Sequence, residues 1–587
     1  MKRVCWLALV CFLFAPSVAA QERYALGVFH YNIQYVAGGM VGYAFLPDPE
    51  LDLDNDIIED LIVTESFTPI LELYEKHPSW GVDIELQGYF LDVLAARHPD
   101  VLDLLRKLAK SGQIDVVSFH YSDQLFIAYP EEDWRRSQAL TAATFEKHDI
   151  PLSRTVFCQE GQAGMALAER MAETGYRTMI WPKNLWIYQH GDFAAAPLYQ
   201  FGDVNLVVGG QGASYQQGSL DVEVTWTYMD DGELQATGDL NPYFPDIFVH
   251  KPEAVAEYED KLLALEAQGY KIVTVDEYVD AVENRVPATP TPPLFDGTWQ
   301  PNSTTAVFKW MGGKSIWPGE HDNEVRSLGA IAHRELVAAE AAAKYAKLDA
   351  RTELDGAWRL LSLAQVTDAS GINPFRGEAE YGIAHATETL RIARSVIRQA
   401  KLKGGDGPFV VDSESGTMTP GVAPELRGPD TAPPLSITTE AGDRDVTESW
   451  ELVSPGVHRV ELVFQKGTSE KISASFPGEL SDTWVTTLAL ADDELATYQR
   501  SDFTFEEFYL ALPTGLISLG PNLYLIKDQA YIHLAARIQR DSGDIAFQDH
   551  TLVPGARATW VFYLYEGTAE GALDLARRIN VTPRLSR

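Results

Sequence analysis

Glu160 closes a short apolar run, Val156-Phe157-Cys158, has Gln159 and Gln162 for neighbours, and is followed by a helical pattern from Met165 to Ala172 with Gly175 behind it. The run reads as a buried parallel strand leading into the next helix and its stop. A carboxylate at the C-terminal end of such a strand is where a (β/α) barrel keeps its reactive groups, so Glu160 is the candidate reactive residue. A helix-capping or solvated loop Glu is the alternative. Other strand ends carry the same mixture of polar groups and rings. His30-Tyr31-Asn32-Ile33-Gln34-Tyr35 follows the first apolar run, Phe119-His120-Tyr121-Ser122-Asp123-Gln124 the third, and Trp181, Lys183, Trp186, Tyr188 and His190 come after Glu160. Amides and imidazoles beside aromatic rings suit a sugar, whose hydroxyls need polar partners and whose C–H faces stack on rings. His30, Asn32, Gln34, His120, Trp181 and Trp186 are the candidate substrate contacts, although a lone His equally suits a structural hydrogen bonder and a lone Trp the core. For a second carboxylate, Asp239 within Thr237-Gly238-Asp239-Leu240-Asn241-Pro242-Tyr243 competes with Asp123, while Asp230 to Glu233 reads as a hairpin turn with solvated acids. Glycoside cleavage with retention needs two carboxyl groups about 5–5.5 Å apart, and inversion about 6.5–9.5 Å.

The elements that must position these groups alternate. From Tyr24 to about Val286, strand-like runs (Tyr24 to Phe29, Gly81 to Leu86, Ile114 to Phe119, Thr155 to Cys158, Thr178 to Trp181, Asn205 to Val208, Glu223 to Tyr228, Lys271 to Val275) are separated by helical patterns. That is the pattern of βαβ units around a parallel sheet. Within it, Asp100 is the expected N-cap and Gly112 the expected stop of one helix. Pro287 to Pro293, PATPTPP, reads as a stiff spacer. Asn323 to Tyr345, Glu353 to Ala364 and Ala379 to Lys401 predict three long helices, which assemble most simply as a small bundle. After a second Gly- and Pro-rich stretch, short alternating strands from Leu435 onward predict an antiparallel sandwich. The expected organisation is a signal peptide at 1–20, a barrel at 21–286, a connection at 287–320, a helical bundle at 321–403, a linker at 404–434 and a β domain at 435–587.

Composition narrows the partners. Apolar residues make up 45% and charged residues 22% of the 587, a globular balance. Lys plus Arg total 47 against 84 acids, so the net charge of −37 makes nucleic acid and anionic membranes poor partners. Lys2 and Arg3, the apolar run Val4 to Phe14 and Ser17-Val18-Ala19-Ala20 read as a secretory signal, which predicts a secreted or periplasmic chain beginning near Gln21. Cys5 and Cys11 leave with it, so Cys158 has no intrachain disulfide partner. Past the signal no apolar run approaches the roughly 20 residues of a membrane span.

Several of these motifs resemble glycoside hydrolase family 57, the retaining α-glycosidases, and more distantly the family 38 α-mannosidases. His30-Tyr31-Asn32-Ile33-Gln34 is similar to the family 57 first-strand motif, Ser111-Gly112-Gln113-Ile114-Asp115-Val116-Val117 to its Gly-Gln-Leu-Glu-Ile motif, and Phe157-Cys158-Gln159-Glu160 stands where that family carries its nucleophilic glutamate. His333-Arg334-Glu335-Leu336 with Glu340, and Trp358 with Leu363 to Gly371, resemble a bundle segment sent back toward the active site, which makes Asp368 a further substrate contact. The resemblance implies a (β/α)7-type barrel followed by a three-helix bundle and a β-rich C-terminal domain. It also implies a hydrolase or transglycosylase acting on an oligo- or polysaccharide with no cofactor. The family acid/base sits in a Ser-Asp pair that Phe201-Gly202-Asp203-Val204-Asn205-Leu206 matches only in its first part, which leaves Asp239 or Asp123 for that role. A family 38 zinc centre would need His-x-Asp where this chain has His30-x-Asn32, and a bundle histidine that Gln365-Val366-Thr367-Asp368 lacks. No metal is therefore expected. Asp52-Leu53-Asp54-Asn55-Asp56 fails as a calcium loop because Ile57 replaces the required Gly. A metal-dependent polysaccharide deacetylase and a non-catalytic glycan-binding protein on the same scaffold are the rival readings.

Overall fold

The computed structural model describes residues 21–42, 52–158, 161–191, 193–236, 249–294, 322–371, 375–404, 409–412, 417–420, 434–477, 482–502, 507–510, 515–550 and 552–581. Glu160, Asp239 and residues 1–20, where a signal is expected, lie outside the described residues. Among the described residues of the first third of the chain and its continuation, the strands are β1 (Glu22–Tyr31), β2 (Val82–Leu86), β3 (Ile114–Val117), β4 (Thr155–Phe157), β5 (Thr178–Pro182), β6 (Tyr199–Phe201), β7 (Val204–Gly209), β8 (Ala213–Gln217), β9 (Leu220–Asp231), β10 (Tyr270–Ile272) and β11 (Thr289–Pro290).

β1 is the hub of the first sheet, because its almost wholly apolar sequence is buried from Tyr24 to Tyr31. It pairs in parallel with β9 along one side, and along the other with β10 through Arg23 to Ala25 and with β2 through Val28 to Tyr31. β3 continues the sheet in parallel beyond β2, and β8 lies antiparallel beyond β9. The second sheet has the order β11-β6-β7-β5-β4, with β4, β5 and β7 mutually parallel. Among the described residues no ladder joins β3 to β4 or β7 to β9, so this mixed α/β region is two sheets by hydrogen bonding.

Helices cover the sheets for reasons visible in sequence. Pro99–Ser111 buries Val101, Leu102, Leu105, Leu108 and Ala109, a stripe at helical spacing, and ends where Gly112 takes φ 80°. Each such leucine contributes about 1.5–3 kcal/mol by leaving water. The start differs from expectation: His98 is the N-cap and Pro99 opens the helix, so Asp100 lies in the first turn, where its charge suits the helix dipole. Val275–Val282 begins on a capping box, Thr274 accepting from the Glu277 N–H while Glu277 accepts from Thr274.

Two further expectations are corrected. PATPTPP is not a free spacer over its first residues: Thr289 and Thr291 donate to Leu198 and Gln200 at 2.9 Å each, and Pro290, lacking an N–H, occupies the ladder position that needs none. Asp230 to Glu233 is not a solvated hairpin turn. β9 runs through Asp231 into a short helix, Gly232–Gln235, which buries Glu233 completely.

Among the described residues three long helices follow, Asp322–Ala346, Arg351–Ala364 and Arg376–Gly404, with the one-turn helix Thr367–Ser370 between the last two; the long helices share a core of Leu336, Leu354, Trp358, Leu361 and many alanines. The alanines leave little side chain between the helix axes, which lets the helices approach closely. The C-terminal region forms five- and seven-stranded antiparallel sheets. They face one another through Phe476 and Phe547 of one and Phe562 of the other, with ring centroids 4.9 and 5.2 Å apart. Among the described residues no helix is long and apolar enough to cross a membrane.

Candidate active site

The C-terminal ends of β1, β2, β3 and β9 lie side by side, and each delivers a titratable group to one rim. His30 comes from β1 and is paired in register with Glu85 of β2 on one side and Asp231 of β9 on the other. Asp123 and His120 follow β3, and Glu233 follows β9 within two residues. β2 explains how carboxyls come to be inside: Val82, Ile84 and Leu86 alternate with Asp83, Glu85 and Gln87, and all six are buried.

The groups are interlocked. His30 Nδ1 bonds Glu85 Oε2, and Glu233 Oε1 accepts from the Asn32 N–H. Gln87 Nε2 donates to Asp123 Oδ2 at 2.5 Å and to the Tyr31 carbonyl at 3.0 Å. Burial opposes a charged His30, yet Glu85, with Asp123 and Glu233 beyond it, holds the imidazole well above the usual histidine range. Burial also raises Glu85, Asp123 and Glu233, the last two well above the ordinary carboxyl range, even though His30 acts against each. Burial thus shifts these carboxyls toward the protonated form, the direction a general acid requires. His120 behaves oppositely: burial, then the neighbouring His30, pushes it down to about 3, so its ring is neutral.

The helical region closes one side of the rim through backbone as well as side chains. Thr367 N–H donates to the Asp123 carbonyl at 2.6 Å and Leu125 N–H to the Gln365 carbonyl at 2.9 Å. Asp368 accepts from Asn32 Nδ2 at 2.8 Å, and Tyr381 accepts from Gln34 Nε2 at 3.1 Å. Asn32, Gln34 and Asp368, expected to meet a substrate, thus also tie the strand ends to the helices. Trp181 and Trp186 are buried in an apolar cluster with Val156, Met179 and Leu206, and packing accounts for their aromatic character. Asp203 sits exposed in the turn between β6 and β7. Glu85, Gln87, Asp231 and Glu233 are the rim residues that sequence reasoning missed. The alternation of acids with apolar residues in a strand buried on both faces is the signal that points to Glu85 and Gln87.

Carboxyls, histidines and amides thus share one rim of parallel-strand ends, the place where (β/α) enzymes carry their reactive groups. Residues 34–199 match the family model described as glycosyl hydrolase family 57, a span that includes Glu85, His120, Asp123 and Glu160. Over that span the sequence resembles family 57. It is 32% identical over 69 residues to an α-amylase of Pyrococcus horikoshii, a match covering 12% of this chain and 11% of that one. It is 35% identical over 68 residues to a 4-α-glucanotransferase of Thermococcus litoralis, covering 12% and 10%. The chain thus spans about a tenth of the length of these curated relatives. Its fold is shared with a solved α-mannosidase of Enterococcus faecalis at a TM-score of 0.59 and 10% identity, over 95% of this chain and 88% of that one.

Proposed function

We propose that this chain is a retaining α-glycoside hydrolase or transglycosylase acting on an oligo- or polysaccharide outside the cytoplasm, secreted or in the periplasm. The two sheets are read as arcs of a (β/α)7-type barrel, followed by a three-helix bundle and a β-sandwich. The observation that carries the reading is the convergence of His30, Glu85, Asp123, Asp231 and Glu233 on one strand-end rim, with Asp368 joining them from the helices. The named activities of the relatives point to an α-linked glucan as substrate class.

In the proposed mechanism Glu160 attacks the anomeric carbon while a protonated carboxyl gives its proton to the departing glycosidic oxygen. Water, or a hydroxyl of a second sugar, then attacks from the face opposite Glu160, where the leaving oxygen departed, gives its proton to that carboxyl now acting as base, and releases Glu160 as carboxylate. Sequence leaves the second role to Asp239 or Asp123. Geometry favours another residue: Asp123, Glu85 and Glu233 are all sealed from solvent, whereas Asp231 at the end of β9 is partly open beside His30. We therefore assign the acid/base to Asp231. His30 lies beside it in register, Asn32 and Asp368 bond one another, and the three would orient sugar hydroxyls.

The test is turnover of maltooligosaccharides by the wild type and by Glu160→Ala and Asp231→Ala, with azide as an added nucleophile. Each variant should lose at least about 100-fold in rate. Azide should give a β-glycosyl azide with Glu160→Ala, where it enters opposite the leaving group directly. It should give an α-glycosyl azide with Asp231→Ala, where it resolves the covalent intermediate. Binding of α-glucans with no turnover by the wild type would instead establish a glycan-binding protein.

A further inference from the structure

Glu85, His120 and Asp123 each offer one ligand-type atom, and these atoms lie within 4.8 Å of one another. All three side chains are fully buried. Among the described residues Glu85 Oε1 and Asp123 Oδ1 have no hydrogen-bond partner, and neither has a ring nitrogen of His120 apart from glancing approaches to the backbone at Ser122 and His120 itself. His120 Nδ1 lies 3.9 Å from Asp123 Oδ1. The second oxygen of each carboxyl is occupied: Oε2 of Glu85 by His30, and Oδ2 of Asp123 by Gln87 at 2.5 Å. Each carboxyl is thus fixed from behind by an outer partner while its free oxygen shares a buried space with the free imidazole nitrogens.

Polar atoms buried without a partner are unfavourable, and structures keep them only where something else offsets that loss. A divalent cation would satisfy all three at once, and the outer hydrogen bonds are those that orient metal ligands. We propose that Glu85, His120 and Asp123 hold a divalent first-row cation, with Zn²⁺ and Mn²⁺ the best fits. One imidazole nitrogen and two carboxylate oxygens suit those ions; thiolate-seeking Cu(I) lacks its donors, and the imidazole favours Zn²⁺ and Mn²⁺ over all-oxygen-seeking Mg²⁺. Two carboxylates balance the charge of a dication, and three protein ligands leave a position for a small fourth ligand. Around one ion at about 2.0–2.2 Å, tetrahedral ligand atoms stand about 3.4 Å apart, so the cluster closes by about an ångström on binding. This set is not the one weighed from the first-strand His-x-Asp pattern: only Asp123 is common to both, and Asn32 and the helical segment at Gln365 to Asp368 take no part in it.

The site does not depend on the glycosidase reading, and its test reads metal, not turnover. The full-length mature protein is stripped with chelator, loaded separately with Zn²⁺ and Mn²⁺, passed through gel filtration and assayed for metal by mass spectrometry. The wild type should retain about one equivalent of at least one ion. Gln87→Leu, which keeps all three ligands and removes only the outer bond to Asp123, should weaken that affinity about 10–100-fold. His120→Ala and Asp123→Asn should retain none at the same concentration. Retention of under about 0.1 equivalent by the wild type, or equal retention by wild type and the folded variants, would overturn the assignment. Should the ligand variants fail to fold, the wild type and Gln87→Leu decide it on their own.

Discussion

His333 and Asp133 form an ion pair between the helices Asp322–Ala346 and Glu131–His148, with both side chains only 1% exposed. Gln365 donates to the other Asp133 oxygen at 2.6 Å and accepts from Gln124 at 2.5 Å, so the pair anchors the segment that carries Asp368 to the rim. Burial works against a charged His333, but Asp133, with Asp492 and Glu132 behind it, raises the imidazole above the usual histidine value. The sign follows. The raised native affinity for the proton stabilises the fold fully below the unfolded value of about 6.5, and this contribution is lost as pH rises through the native value. Removing one partner of a buried pair costs about 3–5 kcal/mol because the other charge is stranded. His333→Gln and Asp133→Asn should therefore each destabilise by about that amount at pH 5.5, while the double variant falls short of their sum by about 2–3 kcal/mol. At pH 9 the coupling should shrink. A chain with several cores does not unfold in one step, so the readout is hydrogen exchange in urea on peptides from the two helices. A coupling under about 0.5 kcal/mol at pH 5.5, or one that grows with pH, would refute the reasoning.

Gly232→Ala should lower the melting temperature and the activity together: its Cβ would stand 2.7 Å from the Tyr31 ring, an overpacking worth about 1–3 kcal/mol. Glu233→Gln should be stable to within about 1 kcal/mol at neutral pH, since burial pushes that carboxyl well above its ordinary range, toward the uncharged form that an amide resembles. The wild type loses stability as pH rises from the unfolded value of about 4.3 toward the raised native one, and melts of the two proteins across pH should show the glutamine variant freed of that loss. Asp368→Ala removes the acceptor of the 2.8 Å bond from Asn32, a charged hydrogen bond worth about 1.5–3 kcal/mol. It should cut kcat/KM on maltooligosaccharides about 10- to 100-fold, and an unchanged value would separate that bond from the site.

What could be read from the chain was what periodicity and adjacency carry. The helix Pro99–Ser111, the three long helices after Asp322 and the polar strand ends at His30 and His120 all follow from local pattern. What escaped depended on distant pairing. Glu85 becomes a partner of His30 only because β1 and β2 align in parallel, and Glu233 reaches the Asn32 N–H from 201 residues away. Met229-Asp230-Asp231-Gly232 has the composition of a tight turn, and only the pairing of β9 with β1 keeps it extended through Asp231. The six-residue π-helix Ile62–Phe67, whose Ser66 hydroxyl donates to the Gly232 carbonyl at 2.6 Å, has no sequence signature of its own.

The place of β1 at the centre of its sheet sets the order of events during synthesis. β2 can cover one flank once the ribosome has passed Leu86, but β9 and β10, which complete both sides, are made roughly 200 residues after β1. At about 5–20 residues per second, the nascent chain carries a half-covered apolar strand for about 10–40 seconds. During that interval its unpaired backbone is a template for any other strand it meets, so soluble yield should depend on chaperone supply more steeply than the stability of the finished fold alone implies.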